Sequence, residues 1–544
     1  MWQPKRVLNG FAKTDSPRGP KRRRKPMIAL VVAAVVLSAV AGCTKTDSSK
    51  DGSRSAEGKS LDKLVWAKPV DAASIDPHID AGGNGADWEF FNLIYSNLVT
   101  LNTDQKVIPA LATKWTQESP TTYIFDLRSG VKFSNGREMT QDDVVESLNR
   151  LMDPKVASVM APRLRIKASS AVGTNQIRVE LTQPNSSFLA ALAMPMAVVL
   201  PMKEFDAGSF DPDKEMIGTG PYVVAKRVKG QSWTLKRNAD FWGPAPKAAE
   251  IDVKIMTEDA ARIAALKDGT ADVTTFDQPD AQNLLKAATN VTTQVQQQNL
   301  YYRLDVNAKT SVFADHDVRE ALALSIDRET IINLALGGAG QASAAVVPSF
   351  GVCDASKMPF AQTDINKAKA LVSAAGATGK TVNILASSAI GGASEIAQVL
   401  KSNLEKTGLK VKIEQIEVGP WAERVFSGEP ADFDISISFF GNYADPNMVL
   451  PNYRTASASF ADGYQVKDQT LSDLVDKTES LPKGDERDAV LVDTCKRIAE
   501  NANVIPLVTK DVIVAYRGDK IVADIGKVDS VSVALRDMAQ YGAK

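Results

Sequence analysis

The sequence predicts an α/β protein of two lobes assembled from discontinuous segments, and three observations predict it. At 544 residues the chain is too long for one hydrophobic core, so roughly two to four structural domains are expected. From Leu61 onward helical and strand patterns alternate, and one stretch has the order strand, helix, strand. No internal repeat, low-complexity tract or evident linker interrupts that body, which fits lobes built from separated segments. Apolar residues make up 44% and charged residues 24%, the balance of an ordinary soluble globular chain.

The first sixty residues stand apart. A basic block, Lys21 to Lys25, precedes an apolar run from Met27 to Ala41, and Val40-Ala41-Gly42-Cys43 follows. Basic n-region, short apolar core and small-residue cleavage site are the parts of a secretory signal. The run is shorter than the roughly 18 to 20 residues that a spanning helix needs. The Val-Ala-Gly-Cys ending resembles a bacterial lipobox, which implies cleavage before Cys43 and lipidation of its thiol, so residues 1–42 are expected to be a lipoprotein signal peptide. Residues 43–60, rich in Ser, Lys, Asp and Gly, have nothing with which to build a core and are expected to be a flexible tether. A phosphate-loop lookalike within them, Gly52 to Ser60, has five residues between its glycines where the motif needs four.

Residues 1–42 hold nine Lys or Arg and one Asp, leaving 55 basic and 64 acidic residues, a formal charge near −9. No basic excess remains to replace counterions on phosphate, which argues against a nucleic-acid partner. With Cys43 lipidated, Cys353 and Cys495 remain, either paired or as two buried thiols; both readings stand.

Along the body, Thr140 is read as the N-cap of a helix, with Asp143 three residues on and Val144, Val145, Leu148 and Leu151 on one face. Thr257 and Gly269 bracket a second helix, and Thr363 and Gly376 a third. "KTVNILASS" is read as a strand, "SEIAQVLKSNLEKTG" as a helix and "LKVKIEQIEV" as a strand, a βαβ unit that calls for a right-handed crossover and a parallel pair. "DFDISISFF" is another strand of the same sheet, placing Ile435, Ile437 and Phe439 on one face and Ser436, Ser438 and Phe440 on the other. Its end breaks into Gly441, Asn442 and Tyr443, and ligands in open α/β sheets bind outside the carboxyl ends of strands.

The chain offers little catalytic chemistry. It has two histidines, His78 and His316, no Gly-x-Ser-x-Gly elbow, no His-Glu-x-x-His and no Cys-x-x-Cys. Acidic pairs such as Asp142-Asp143 fall in helix first turns, where they favour the dipole. "GGNG" (Gly82 to Gly85) and "GTGPY" (Gly218 to Tyr222) are turns or places where backbone approaches a ligand or a hinge flexes. Most tryptophans are expected in the core; Trp88 and Trp421 are placed near a cleft.

With these segments in view, the chain resembles the family 5 extracellular solute-binding proteins of ABC importers, the group of oligopeptide-, dipeptide- and nickel-binding proteins. The likeness runs from Leu61 to Lys544 in the family's order: "ASIDPHID", "FNLIYSNLVTLN", "PALATKWTQESPTTYIFDLRSGVKFSNGREMTQDDVVESLNRLMDP", "GTGPY", "LKRNADFWG", "RLDVNAKTSVFADHDVREALALSIDRETI", and the last strand with "ADP". The resemblance implies a periplasmic-binding-protein-like fold, type II-like with an extra domain, whose two lobes close on a cleft. Domain I would comprise 61–100, 187–300 and 511–544, domain II 101–186 and domain III 301–510. It also implies a non-enzymatic binding protein without cofactor that captures a peptide or other small solute outside the membrane and delivers it to ABC permease subunits, a task compatible with a monomer; the scarcity of histidine, His78 and His316 alone, argues against a bound metal such as nickel.

In peptide-binding members the ligand lies extended and pairs with main chain at two places, which match Gly82, Gly83 and Asn84, and Phe439, Phe440 and Gly441 here. Tyr443 and Asp445 belong to the same expected floor. One departure stands out: the aspartate that takes the ligand's α-amine in those members is replaced by Asn442, which lacks the charge-assisted part of that bond. Backbone-held peptides, N-blocked peptides or another solute all fit this change. A domain of this fold feeding a sensor remains an alternative, and a surface-anchored hydrolase a remote one, since no nucleophile and base pair up in the sequence.

Overall fold

A computed structural model of the protein describes residues 58–79, 85–102, 104–277, 280–310, 312–388, 390–426, 431–441, 443–454, 463–529, 531 and 533–544. All lie in the compact unit Ser55–Lys544. Cys43 with its signal and nearly all of its tether, Gly82, Gly83, Asn84 and Asn442 fall outside the described residues. Among the described residues no helix is long and apolar enough to cross a membrane.

The α/β expectation holds. An eight-stranded mixed sheet has the order Val528–Asp529, Val291–Gln298, Val512–Arg517, Val273–Phe276, Leu61–Lys68, Ala248–Ile255, Ser232–Arg237, Tyr222–Val228. Leu61–Lys68 runs parallel to Ala248–Ile255 in its middle. Helix Gly85–Ile94 buries Trp88, Phe90 and Phe91 against this sheet, with the Phe90 ring 4.3 Å from Trp233 and 5.6 Å from Trp66. A four-stranded antiparallel sheet follows, ordered Ala112–Ser119, Thr122–Leu127, Gln176–Leu181, Ile166–Val172. Helix Gln141–Met152 covers it, started by the expected capping box of Thr140 and Asp143. One continuous apolar core serves both sheets, so they form one body.

The second body is built on a five-stranded sheet ordered Lys410–Ile416, Thr381–Ser387, Ile435–Gly441, Leu300–Val306, Val504–Thr509. The βαβ unit is present: Thr381–Ser387 pairs in parallel with Lys410–Ile416 through helix Ala393–Lys406. A further core lies beside it, in which a disulfide joins Cys353 to helix residue Cys495 with Cα atoms 6.2 Å apart.

Two helix starts differ from expectation by one residue. Helix Ile365–Ala374 is capped by Asp364, whose carboxylate accepts from Lys367 N at 2.9 Å, while the Thr363 hydroxyl donates instead to Ile326 O. Helix Asp259–Asp268 has Glu258 at its cap with no side-chain bond, so Thr257 is not the cap. In both, the residue following the threonine is acidic, and an acid at a helix start also meets the positive end of the dipole. Gly269 and Gly376, with φ of 80° and 61°, close these helices as expected.

Candidate functional site

Ile435–Gly441 is a central strand for only part of its length. On one side it pairs antiparallel with Leu300–Val306 throughout, from Leu300 opposite Gly441 to Val306 opposite Ile435. On the other, Thr381–Ser387 runs parallel and pairs only at Ile435 and Ser436. Among the described residues, then, Ile437 to Gly441 have a strand on one side alone, and Phe439 at that open edge is 38% exposed. Ile437 and Ser438 are themselves fully buried, so a further extended chain could be added only at the exposed end, from Phe439 onward.

This edge ends at the connection between the two bodies. The chain leaves the eight-stranded sheet at Gln298 and enters the five-stranded one at Leu300, with Asn299 between; it returns from Thr509 to Val512 through Lys510 and Asp511. The crossings touch, Lys510 N donating to Leu300 O at 2.7 Å. Gly441 leans on the first crossing: its φ is 141°, and a Cβ placed there would lie 1.8 Å from Asn299 O. Only glycine fits. Asn299 Nδ2 then donates to Tyr443 O at 2.7 Å, tying the crossing to the chain just past the edge.

Below the edge the strand is held by buried polar groups. The Ser438 hydroxyl donates to Asp305 Oδ2 at 2.6 Å, and Asp305 also pairs with the fully buried Arg303, whose guanidinium lies 4.5 Å from the centre of the Phe440 ring. Burial of both serines was not foreseen from the alternation, because the strand is covered on both faces.

Several expected site residues prove to have other work. Trp88 is 1% exposed within the core of the first body, and Trp421 is 4% exposed with its indole N–H donating to Ser436 Oγ at 3.1 Å; both are core packing rather than cleft lining. Asp445 is committed within its own body: Arg487 and Lys483 pair with its carboxylate, and Oδ1 accepts from Asn447 N. Gly218 and Gly220 press on the C-terminus of helix Gly85–Ile94, where a Cβ on Gly218 would come within 2.1 Å of Ile94 O, so "GTGPY" serves a close approach inside the first body. Phe439, Phe440, Gly441 and Tyr443 do come together at the edge.

Sequence reasoning missed Tyr302, Lys510 and Asp277. Tyr302 lies opposite Phe439 and donates its hydroxyl to Gly391 O. Lys510, at the second crossing, pairs with Asp277 at the end of Val273–Phe276 over 3.1 Å. Burial is the largest influence and lowers the Lys510 pKa, but Asp277, Tyr302 and Asp511 together more than offset it and the net shift is upward. Neither residue carries a motif; only the place of the crossings reveals them. His78 is fully buried, its Nε2 3.0 Å from Val198 O, and the exposed His316 has its Nε2 on Glu500 O.

Residues 106–461 match the family described as bacterial extracellular solute-binding proteins, family 5, over its middle region. The chain is 27% identical over 376 residues to di/tripeptide-binding protein 2 of Pseudomonas aeruginosa, covering 63% of this chain and 70% of that protein. It is 25% identical over 481 residues to the nickel-binding periplasmic protein of Escherichia coli, covering 82% and 88%. Its fold is similar to that of the periplasmic binding protein DppA of Helicobacter pylori, solved with the peptide STSA, at a TM-score of 0.75 and 24% identity over 89% of this chain and 98% of that one.

Proposed function

The chain belongs to the bacterial extracellular solute-binding proteins of family 5, and from that premise we propose that its solute is a peptide, held in the cleft chiefly by its own main chain. Proteins of this family are the solute-binding parts of transport systems rather than enzymes, and they work outside the cytoplasm. The observation that carries the peptide reading is the strand end Phe439–Gly441, where pairing with Thr381–Ser387 has stopped, Phe439 is exposed and the two crossings between the bodies lie alongside. An extended peptide laid along it gains backbone hydrogen bonds whatever its side chains. The di/tripeptide-binding relative points the same way. Gly82, Gly83 and Asn84, which match the family's second place of main-chain pairing, would supply further backbone partners.

The proposed three-domain division takes 61–100, 187–300 and 511–544 as domain I, 101–186 as domain II and 301–510 as domain III; that each would hold one large sheet supports it. A lipid on Cys43 would anchor the protein to the outer face of the cell membrane, and a monomer would hand its solute to ABC permease subunits. Closure is driven by the difference in ligand affinity between open and closed forms.

Calorimetric titration with tri-alanine and with N-acetyl-tri-alanine tests the reading. Both should bind, with dissociation constants within about tenfold of each other, because Asn442 gives little preference for a charged amine. Asn442→Asp should then tighten tri-alanine by roughly tenfold and leave the acetylated probe unchanged. Heat from neither probe would overturn the reading.

A further inference from the structure

Away from the open edge, the two bodies meet at a second, desolvated place. Arg165 of the first body pairs with Glu479 of the second, whose side chain is 4% exposed and also takes Arg454. Ser186 N donates to Glu479 O at 3.1 Å, and the Ser186 hydroxyl donates to Thr478 O at 3.2 Å. Asn447 Nδ2 donates to Ser186 Oγ and Thr478 O at 2.9 and 2.7 Å. Beside these, the Arg163 guanidinium stacks 4.2 Å from the centre of the Tyr443 ring, and its Nη2 donates to the Tyr443 hydroxyl at 2.7 Å. Ala444 and Met448, from the segment that follows the edge, belong to the core of the first body.

Two details mark this contact as built. Arg165 has φ 55°, a left-handed conformation that a non-glycine residue adopts at a cost, at the end of the short helix Ala161–Leu164; its side chain reaches Glu479 from there. Tyr443 faces both ways, its carbonyl bonded to Asn299 at the crossing and its ring and hydroxyl to Arg163 of the other body. It stands two residues past Gly441, so whatever orders the edge also orders Tyr443.

We infer that this contact is a latch: Arg163 and Arg165, with Glu479 and the Tyr443 hydroxyl that Arg163 holds, keep the bodies shut over the cleft and set affinity through groups that do not touch the solute. They are positioning residues. The inference rests on the solute-binding reading, since a latch matters to affinity only if closure covers a ligand. A ligand's apparent dissociation constant scales inversely with the population of the form competent to hold it. Weakening the latch therefore weakens every ligand by one common factor, whereas removing a direct contact changes the ranking of ligands.

The test uses Arg163→Gln, Arg165→Gln, their combination, and Tyr443→Phe, which keeps the ring and removes only the hydroxyl. Arg178→Gln serves as control, because among the described residues Arg178 forms ion pairs only with Glu118 and Glu180, all three exposed on the four-stranded sheet. Small-angle scattering of protein stripped of ligand in denaturant and refolded should show a larger radius of gyration for the double variant than for the control. Titration should show tri-alanine and N-acetyl-tri-alanine both weakened about tenfold in the double variant, with a smaller common loss in Tyr443→Phe. An unchanged radius of gyration, or a loss confined to one probe, would overturn the latch. If neither probe binds the parent protein, the peptide reading fails, and the scattering comparison alone decides the latch.

Discussion

His78 shows how a residue in a recognisable motif can be structural. It is fully buried, and burial together with the Arg150 guanidinium drives its pKa down to about 4 from an ordinary value near 6.5. Between those pH values the unfolded chain takes up a proton that the folded chain refuses, so folding stability falls as pH drops through this window. The full loss is about 3 kcal/mol by pH 4. Denaturant unfolding of the parent protein and of His78→Asn at pH 7 and pH 4.5 should show a steeper acid loss in the parent; equal slopes would refute the assignment. At this scale the sequence is only partly legible. Phe439 and Gly441 were identifiable as the broken end of a strand, whereas Trp88 and Trp421 were misplaced because an aromatic beside a glycine-rich turn looks the same whether it lines a cleft or plugs a core. Asp445 was ambiguous for a related reason: Lys483 and Arg487, which hold it, lie about forty residues away in sequence.

At the scale of elements, the strand Ile435–Gly441 does three things at once. Its middle is buried on both faces, its pairing with Thr381–Ser387 stops after Ser436, and its last residue leans on Asn299. Gly441→Ala tests the last of these. The new Cβ would meet Asn299 O at 1.8 Å in a backbone conformation that L-residues avoid, so the strand end or the crossing must shift. A stability loss of about 2 to 3 kcal/mol is expected by denaturant unfolding, with loss of tri-alanine binding; wild-type affinity in a folded variant would contradict the placement of the site. The helix at Thr140 and the βαβ unit were legible because local signals, a capping box and a change of period, agree with tertiary packing. The helices near Thr257 and Thr363 were found but misregistered, since Asp364 competes for one cap and Glu258 occupies the other. The open edge was not legible. Where pairing stops depends on the neighbouring strand, and nothing within Ile435–Gly441 encodes it.

On the scale of the whole molecule, two bodies are joined by two short crossings and meet again around Glu479, where Ala444 and Met448 of the second body pack into the core of the first. That arrangement lets one body swing on the other, with the solute edge placed beside the pivot and the latch farther along the same segment. Discontinuous assembly was legible from the missing linker. The crossings at Asn299 and Lys510-Asp511 carry no local signal, because strand-like sequence continues on either side, and only the family resemblance suggests boundaries beside them. The central claim is that main-chain pairing at the strand end Phe439–Gly441 captures peptides without regard to their side chains. The measurement that tests it most directly is mass spectrometry of whatever co-purifies with the protein and is released by denaturation. The account predicts a mixed ladder of peptides with no shared sequence. A single non-peptide species would contradict it.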